Sequence, residues 1–345
     1  MKFLLYLAIF VVIGCHFVNG RLDINNNDKD TSTTIDASSS SGPSTCVPPN
    51  FTKLAAFIDS LVSSYDYCDG TEWAVSDFGK NQIESSNANN SQETASTIKL
   101  WVMLAVMEDI QNNLYTFDSP MFCSGINTTV DGCLSLMIGI SDNCATYDLT
   151  VLTKMSHVNQ LFAKLGMTNS QFHHWCFSTC PGYVSPCQND DGSSASNSLS
   201  SHDVVSGLTQ LYKYEILPVN LTSLAYKYLL TAHGWHPMLG LYVPAPVAHK
   251  QGWLPADEGF YPFTENDEAT VFTECGEYAA SVMITRNWTN SNEDATALEL
   301  GAEIGRYIYC SFVPFGYSTD GTPCSTTLAQ PLPGPGCGGA KIYSN

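Results

Sequence analysis

The stretch Thr94–Glu108, TASTIKLWVMLAVME, decides the fold. Between Ile98 and Met107 every residue is apolar except Lys99. A helix that is apolar on all sides belongs in the middle of a fold rather than on its surface. A lysine there needs a reason, because an unpaired ammonium is almost never fully buried. Ser96 precedes it by three residues, so on a helix the hydroxyl and the amine share one face about a turn apart. It also stands in the first turn, where free backbone N–H groups and the helix dipole favour developing negative charge. A serine beside a partly desolvated lysine has the makings of a nucleophile with its base. The expectation is an acyl-transfer enzyme built round this helix; the bland alternative is a capping serine and a lysine that snorkels to water.

The 345 residues suffice for one large domain or two lobes. Lys2, the apolar run FLLYLAIFVVIG and then Val18-Asn19-Gly20 predict a cleaved secretory signal over 1–20, and no later stretch is long and apolar enough to span a membrane. Of thirteen cysteines, removing Cys15 with the signal leaves an even number, as complete pairing requires. Sequons at Asn50, Asn89, Asn127, Asn220 and Asn287 predict surface positions on a secreted glycoprotein. A formal net charge of −19 argues against nucleic acid or an anionic membrane as partner. The expected setting is extracellular, or the lumen of the secretory–endolysosomal system. A monomer acting on a small molecule or peptide is expected there, with no cofactor.

Residues 21–45, rich in Asp, Asn, Ser and Thr, are read as a disordered leader. Leu54, Phe57, Ile58 and Leu61 form a helical stripe over Lys53–Tyr65, followed by a strand near Glu72–Phe78 and a polar loop over Gly79–Thr94. After the apolar helix come a Cys-containing loop to about Gly132, a short helix over Leu134–Ile140, and a second helical pattern from Cys144. Val158, Leu161, Phe162 and Leu165 then repeat at helical spacing, with Ser156 as expected N-cap and Gly166 as the stop. Thr168–Ser201 reads as loop, and His202–Tyr214 and Leu221–His233 as helices. Strands are expected near Val247–Trp253, Ala269–Thr273 and Tyr278–Thr285. In a last helix, Glu293–Tyr309, Ala297, Gly301 and Gly305 line one face and would allow close packing on a sheet. The tail from Pro314 reads as a disulfide-tied extension. The whole predicts an α+β fold, with an antiparallel sheet lobe made from both chain ends and an inserted all-helical lobe over about 96–233.

Two further short segments join Ser96-x-x-Lys99. Ser141-Asp142-Asn143 links two helical segments, and His249-Lys250-Gln251-Gly252-Trp253 lies on an expected strand. Together they resemble the S-x-x-K, S-D-N and K-T-G set of class A β-lactamases and penicillin-binding proteins. The surroundings LSLMIGISDNCA, HVNQLFAKLGM and VAHKQGW are similar in order and context, so the resemblance covers roughly residues 50–312. It implies a β-lactamase/transpeptidase-like catalytic domain over 46–312, followed by a Cys/Pro/Gly-rich extension over 313–345. The span from Ser96 to Ser141 is shorter than usual in that family, which implies a trimmed helical lobe.

By this resemblance Ser96 attacks an amide or β-lactam carbonyl, and Lys99, its pKa lowered by apolar neighbours, takes the hydroxyl proton. Ser141 relays a proton to the leaving nitrogen with Lys250 beside it, and Asn143 holds Lys99 and the substrate amide. The backbone N–H groups of Ser96 and Trp253 form the oxyanion hole, and Gly252 lets the substrate lie close along the strand. Two departures stand out. Gln251 replaces the family's Thr or Ser and so removes a hydroxyl that would bind a substrate carboxylate. No glutamate occurs between Glu108 and Glu215, where the family keeps the base that activates the deacylating water. Asp190 and Asp191 lie in that region but in surroundings unlike the family's loop. Slow or atypical deacylation is therefore expected. The alternative is an inactive or penicillin-trapping binding module.

His173, His174, Cys176, Cys180 and Cys187 suggest zinc at first sight. In a secreted chain the cysteines are expected to form disulfides, so no metal is assigned. His249 points to the strand face opposite Lys250 and is not called catalytic.

Overall fold

The computed structural model describes residues 14–18, 21–25, 46–79, 81–175, 179–183, 195–232, 238–255, 263–286, 293–330 and 334–344. It forms two units, 1–44 and 45–345. The first contains an antiparallel strand pair, Gly14–Val18 with Arg21–Asn25, across the end of the expected signal and the start of the expected leader. The remainder of both lies outside the described residues.

The second unit is built on one six-stranded sheet. Its strands are β1 (Thr71–Ser76), β2 (Asn81–Glu84), β3 (Val247–Leu254), β4 (Phe263–Thr273), β5 (Gly276–Arg286) and β6 (Lys341–Ser344), in the order β6-β2-β1-β5-β4-β3 with every pairing antiparallel. The strands come from both sides of a long helical insertion, as expected for an α+β fold. One face packs on α1 (Phe51–Ser64) and, near the end of the chain, a helix at Glu293–Phe312. Trp73, Val75, Ala269, Val271, Tyr278, Val282 and Ile284 from the strands join Leu54, Ile58, Ile304 and Ile308 from the two helices in this core.

The opposite face carries α2 (Ile98–Gln111), the centre of the helical region. Its residues from Ile98 to Met107, Lys99 included, are fully buried. Removing each large apolar side chain from water contributes about 2 kcal/mol, so this segment cannot leave the interior without a cost as large as the whole stability of a domain. Around it stand α3 (Val130–Gly139), α4 (Asn143–Thr153), α5 (Met155–Leu165), α6 (Ser201–Tyr212) and α7 (Val219–Leu230).

Several sequence expectations are corrected. The polar stretch after Gly79 contains β2 and a two-residue strand, Gln92–Glu93, and the loop before Gly132 contains a hairpin, Pro120–Cys123 with Ile126–Thr129. Helix α5 is not capped by Ser156; it begins after Lys154, at φ 72°, and ends as expected on left-handed Gly166. Strand β4 starts at Phe263, six residues before the expected Ala269. Its polar run Thr264–Glu268 hid it, yet all five residues are buried. Their hydrogen bonds explain this: Asn266 donates to the Glu93 carbonyl, Asp267 accepts from Leu239 N, and Glu268 accepts from Trp101 Nε1.

The tail adds structure as well as crosslinks. It forms α8's neighbour, a short helix over Cys324–Ala329, where α8 is the helix Glu293–Phe312, and then supplies β6 at the sheet edge. Disulfides Cys310–Cys324, Cys68–Cys337 and Cys46–Cys275 hold it and the start of the unit in place. In the chain-entropy model the short Cys310–Cys324 loop contributes roughly 3 kcal/mol and each of the two long ones roughly 5–6 kcal/mol. Sequon residues Asn50, Asn127 and Asn220 are exposed and Asn89 is half-buried, while Asn287 lies outside the described residues. Among the described residues no helix is long and apolar enough to cross a membrane.

The small-residue face of α8 packs, but not on the sheet. A methyl at Gly305 would lie 2.5 Å from the Leu239 carbonyl oxygen, and one at Gly301 would meet Met238. Gly305→Ala is expected to lower unfolding stability by about 2 kcal/mol, because backbone has to move. Gly139→Ala, which meets nothing within 4 Å at the end of α3, should raise it by about 0.5 kcal/mol. Denaturant melts of the two variants check this pair.

Candidate active site

Ser96 lies in a 3-10 turn, Ala95–Thr97, immediately before α2, and not inside the α-helix proper. The turn is strained: Ala95 has φ 47°, in the left-handed region that a residue with a Cβ enters at a cost of about 1 kcal/mol. Polar contacts over-determine it. Glu93 Oε1 accepts from the backbone N–H groups of Thr94 and Ala95 at 3.1 and 3.2 Å. Thr97 Oγ1 donates to Thr94 O at 2.7 Å, and Thr94 N donates to Asn197 O. Ser96 is thereby held half-exposed, and among the described residues its hydroxyl has no hydrogen-bond partner.

Lys99 points inward, to the turn that joins α3 to α4. Its Nζ lies 2.6 Å from Ser141 O, 3.0 Å from Ser141 Oγ and 2.8 Å from Asn143 Oδ1; an uncharged amine donates to the carbonyl and the amide oxygen, and the Ser141 hydroxyl donates to its nitrogen. That turn is itself set by Ser141 at φ 57° and by Asp142, which caps α4 by accepting from Ala145 N and also takes a bond from Ser124 Oγ. Burial holds the Lys99 amine well below the usual lysine range; the nearby Lys250 charge pushes the same way and Asp142 opposes both.

Lys250 reaches the same hydroxyl from β3. Its Nζ is 3.0 Å from Ser141 Oγ and 2.8 Å from Gln251 O. Burial brings its pKa down to about 8, against the pull of Asp267 and Glu268. Two amines thus converge on one serine oxygen, and the Lys250 charge makes Lys99 harder to protonate.

The third wall is the edge strand. Strand β3 runs against the Ser96 turn so closely that a methyl on Gly252 would lie 2.6 Å from Thr94 O and 2.8 Å from Ser96 N. Trp253 follows, 43% exposed. Alternation along β3 puts Gln251 on the face away from Lys250, with His249, which lies 3.1 Å from Asp267 Oδ1. The Gln251 carbonyl accepts from Lys250 Nζ.

Residues that sequence reading passed over complete the arrangement. Trp175 Nε1 donates to Asn143 O at 3.0 Å, and its ring centroid is 5.2 Å from Lys99 Nζ. Glu268, the register partner of Lys250, is wholly buried, and burial pushes its carboxyl well above the usual range. The run Glu265-Asn266-Asp267-Glu268 was the available signal, since four polar residues on a core strand need partners. Nothing marked Trp175. Cys180 is bonded to Cys144, which removes it from any zinc set; Cys176, Cys187, Asp190 and Asp191 lie outside the described residues.

Comparison with known proteins gives the chain its family and fold. The family model described as the β-lactamase enzyme family matches residues 53–312. The chain belongs to that family. A β-lactamase from Sphaerobacter thermophilus is similar at 18% identity and TM-score 0.60, over 75% of this chain and 97% of that one. One from Chitinophaga pinensis matches at 17% identity and TM-score 0.61, over 72% and 96%. PBP-A matches at 19% identity and TM-score 0.60, over 78% and 100%. These likenesses give this family member its fold. A comparison with curated proteins found no match.

Gly252→Ala should leave the family fold in place while pushing β3 off the Ser96 turn. A displacement on this scale is expected to cost about 100-fold in the rate of Ser96 acylation. Stopped-flow labelling beside circular dichroism checks both halves.

Proposed function

We propose that this chain is a secreted serine hydrolase that cleaves an amide or β-lactam bond through an acyl-Ser96 intermediate. The observation that carries the reading is the convergence of Lys99 and Lys250 on Ser141 Oγ, next to a Ser96 turn pressed against Gly252. Family membership supports the reaction class. Five disulfides among the described residues support an oxidising, extracellular setting.

In acylation Ser96 Oγ bonds to the substrate carbonyl carbon and the C–N bond breaks. The Ser96 proton passes to Lys99, whose buried amine is kept uncharged and so able to accept it. Ser141 gives its proton to the leaving nitrogen and takes the Ser96 proton back from Lys99, which touches the same oxygen, while Lys250, donating there too, lowers the cost of the charge in transit. The oxyanion rests on the N–H groups of Ser96 and Trp253, each worth about 3 kcal/mol. Lys250 also attracts a substrate carboxylate, and Asn143, exposed at the start of α4, meets the substrate amide. The substrate is a small amide, β-lactam or peptide acted on by a monomer.

Slow release of the acyl group goes with this reading. The segment from Met107 to Tyr214 offers Glu108 alone among glutamates, and Glu108 is taken up with Lys164 and His157 at the far end of α2. A mutant of PBP-A, among the similar structures, is an acyl-enzyme complex with penicillin G. One observation favours a second reading, a binding module without catalysis: Lys99 spends its hydrogen bonds on Ser141 and Asn143, none on Ser96.

A fluorescent penicillin separates the two. Wild type is expected to carry a stable label and Ser96→Ala none, with little turnover of a chromogenic cephalosporin. Absence of label on both proteins would overturn the penicillin-type site and leave only an amide or peptide substrate for an acyl-Ser96 intermediate, or the binding module.

A further inference from the structure

The proposed base, Lys99, stands three residues after a half-exposed serine, and the ring that lies over its amine is that of Trp175. The indole is 7% exposed. It reaches Lys99 from a loop that is pinned residue by residue. Asn159 bonds both the N–H and the carbonyl of Phe172, at 2.8 Å each. Asn197 Oδ1 accepts from His173 N and His174 N, and Asn197 Nδ2 donates to His174 O. Phe172 packs edge-on against the indole ring, and the indole N–H is fixed on Asn143 O. The Cys144–Cys180 disulfide ties the first turn of α4 to the chain just beyond. Such pinning gives one orientation to a bulky group directly above an amine.

Resting on the acyl-serine reading, we infer that Trp175 is a positioning residue whose task is to keep water off Lys99, so that the amine stays unprotonated and ready to take the Ser96 proton. Two effects of the ring oppose each other. Its π face attracts an ammonium, worth about 0.5–2 kcal/mol and so at most roughly one and a half pH units in favour of charge. Its bulk excludes water, as one contributor to a burial that as a whole displaces a lysine by about 3–5 units against charge. We take exclusion as the larger effect, the direction in which burial displaces the Lys99 amine. The other groups facing Lys99 are Lys250 from β3 and Asp142 from the α3–α4 turn, with Glu268 of β4 behind Lys250. Trp175 changes none of these charges; it changes the medium between them.

The direct readout is the titration of the Lys99 side-chain nitrogen by NMR in lysine-labelled protein, assigned with Lys99→Arg. Because it needs no substrate, it stands apart from the acylation result: a wild type that takes no penicillin refutes the penicillin-type site, and the titration still decides the role of Trp175. In Trp175→Ala, water enters and the charged form gains solvation, so the midpoint should rise by about one pH unit or more. The acidic limb of penicillin acylation should move up with it. Trp175→Leu, which fills much of the same space and tests the idea even where alanine unfolds the loop, should keep the midpoint within about half a unit. A midpoint unmoved in Trp175→Ala, or one that falls by about a unit in either variant because the lost ring had been a cation partner, would overturn the inference.

Discussion

Everything in this molecule depends on hiding one amine. Lys99 is fully buried in a helix of apolar residues, and an amine there survives only if polar atoms come to it. Three oxygens do, two from Ser141 and one from Asn143. Those atoms are supplied by a turn that puts Ser141 in the left-handed region, so the chain accepts local strain to satisfy a buried donor. The same three bonds fix α4 relative to α2. The helical region and the site are therefore one construction, and a change that loosens the 141–143 turn loosens both.

A second constraint comes from the sheet. The edge strand β3 presses on the Ser96 turn with no room for a side chain at Gly252. Strand β4 behind it bears the polar groups that hold the arrangement: Asn266 on the carbonyl of Glu93, whose carboxylate in turn holds the strained turn, and Glu268 opposite Lys250. The Ser96 turn is thus positioned from the sheet side and Lys99 from the helix side. The two meet because α2 is too apolar to lie anywhere but between sheet and helices.

The residues that were readable in the sequence are those whose chemistry conflicts with their surroundings. A lysine in an apolar helix, a Ser-Asp-Asn turn between helices and a glycine on a strand each demanded an explanation, and the structure brings all three together. Helices with clear periodicity, such as α5 and α6, also lay close to their expected bounds. What was missed followed from tertiary partners. The five polar residues at the start of β4 look like loop until Glu93, Leu239 and Trp101 are placed against them. Trp175 carries no local pattern at all; it matters only because Asn159 and Asn197, distant in the chain, hold its loop over Lys99.

The account is tested most directly by a crystal structure of the protein soaked in penicillin G. It predicts continuous density from Ser96 Oγ to the penicilloyl carbon, the carbonyl oxygen lying between the N–H groups of Ser96 and Trp253, and Lys99 still enclosed by Ser141 and Asn143. An unmodified Ser96 with Lys99 turned out to solvent, or an adduct on another residue, would contradict it.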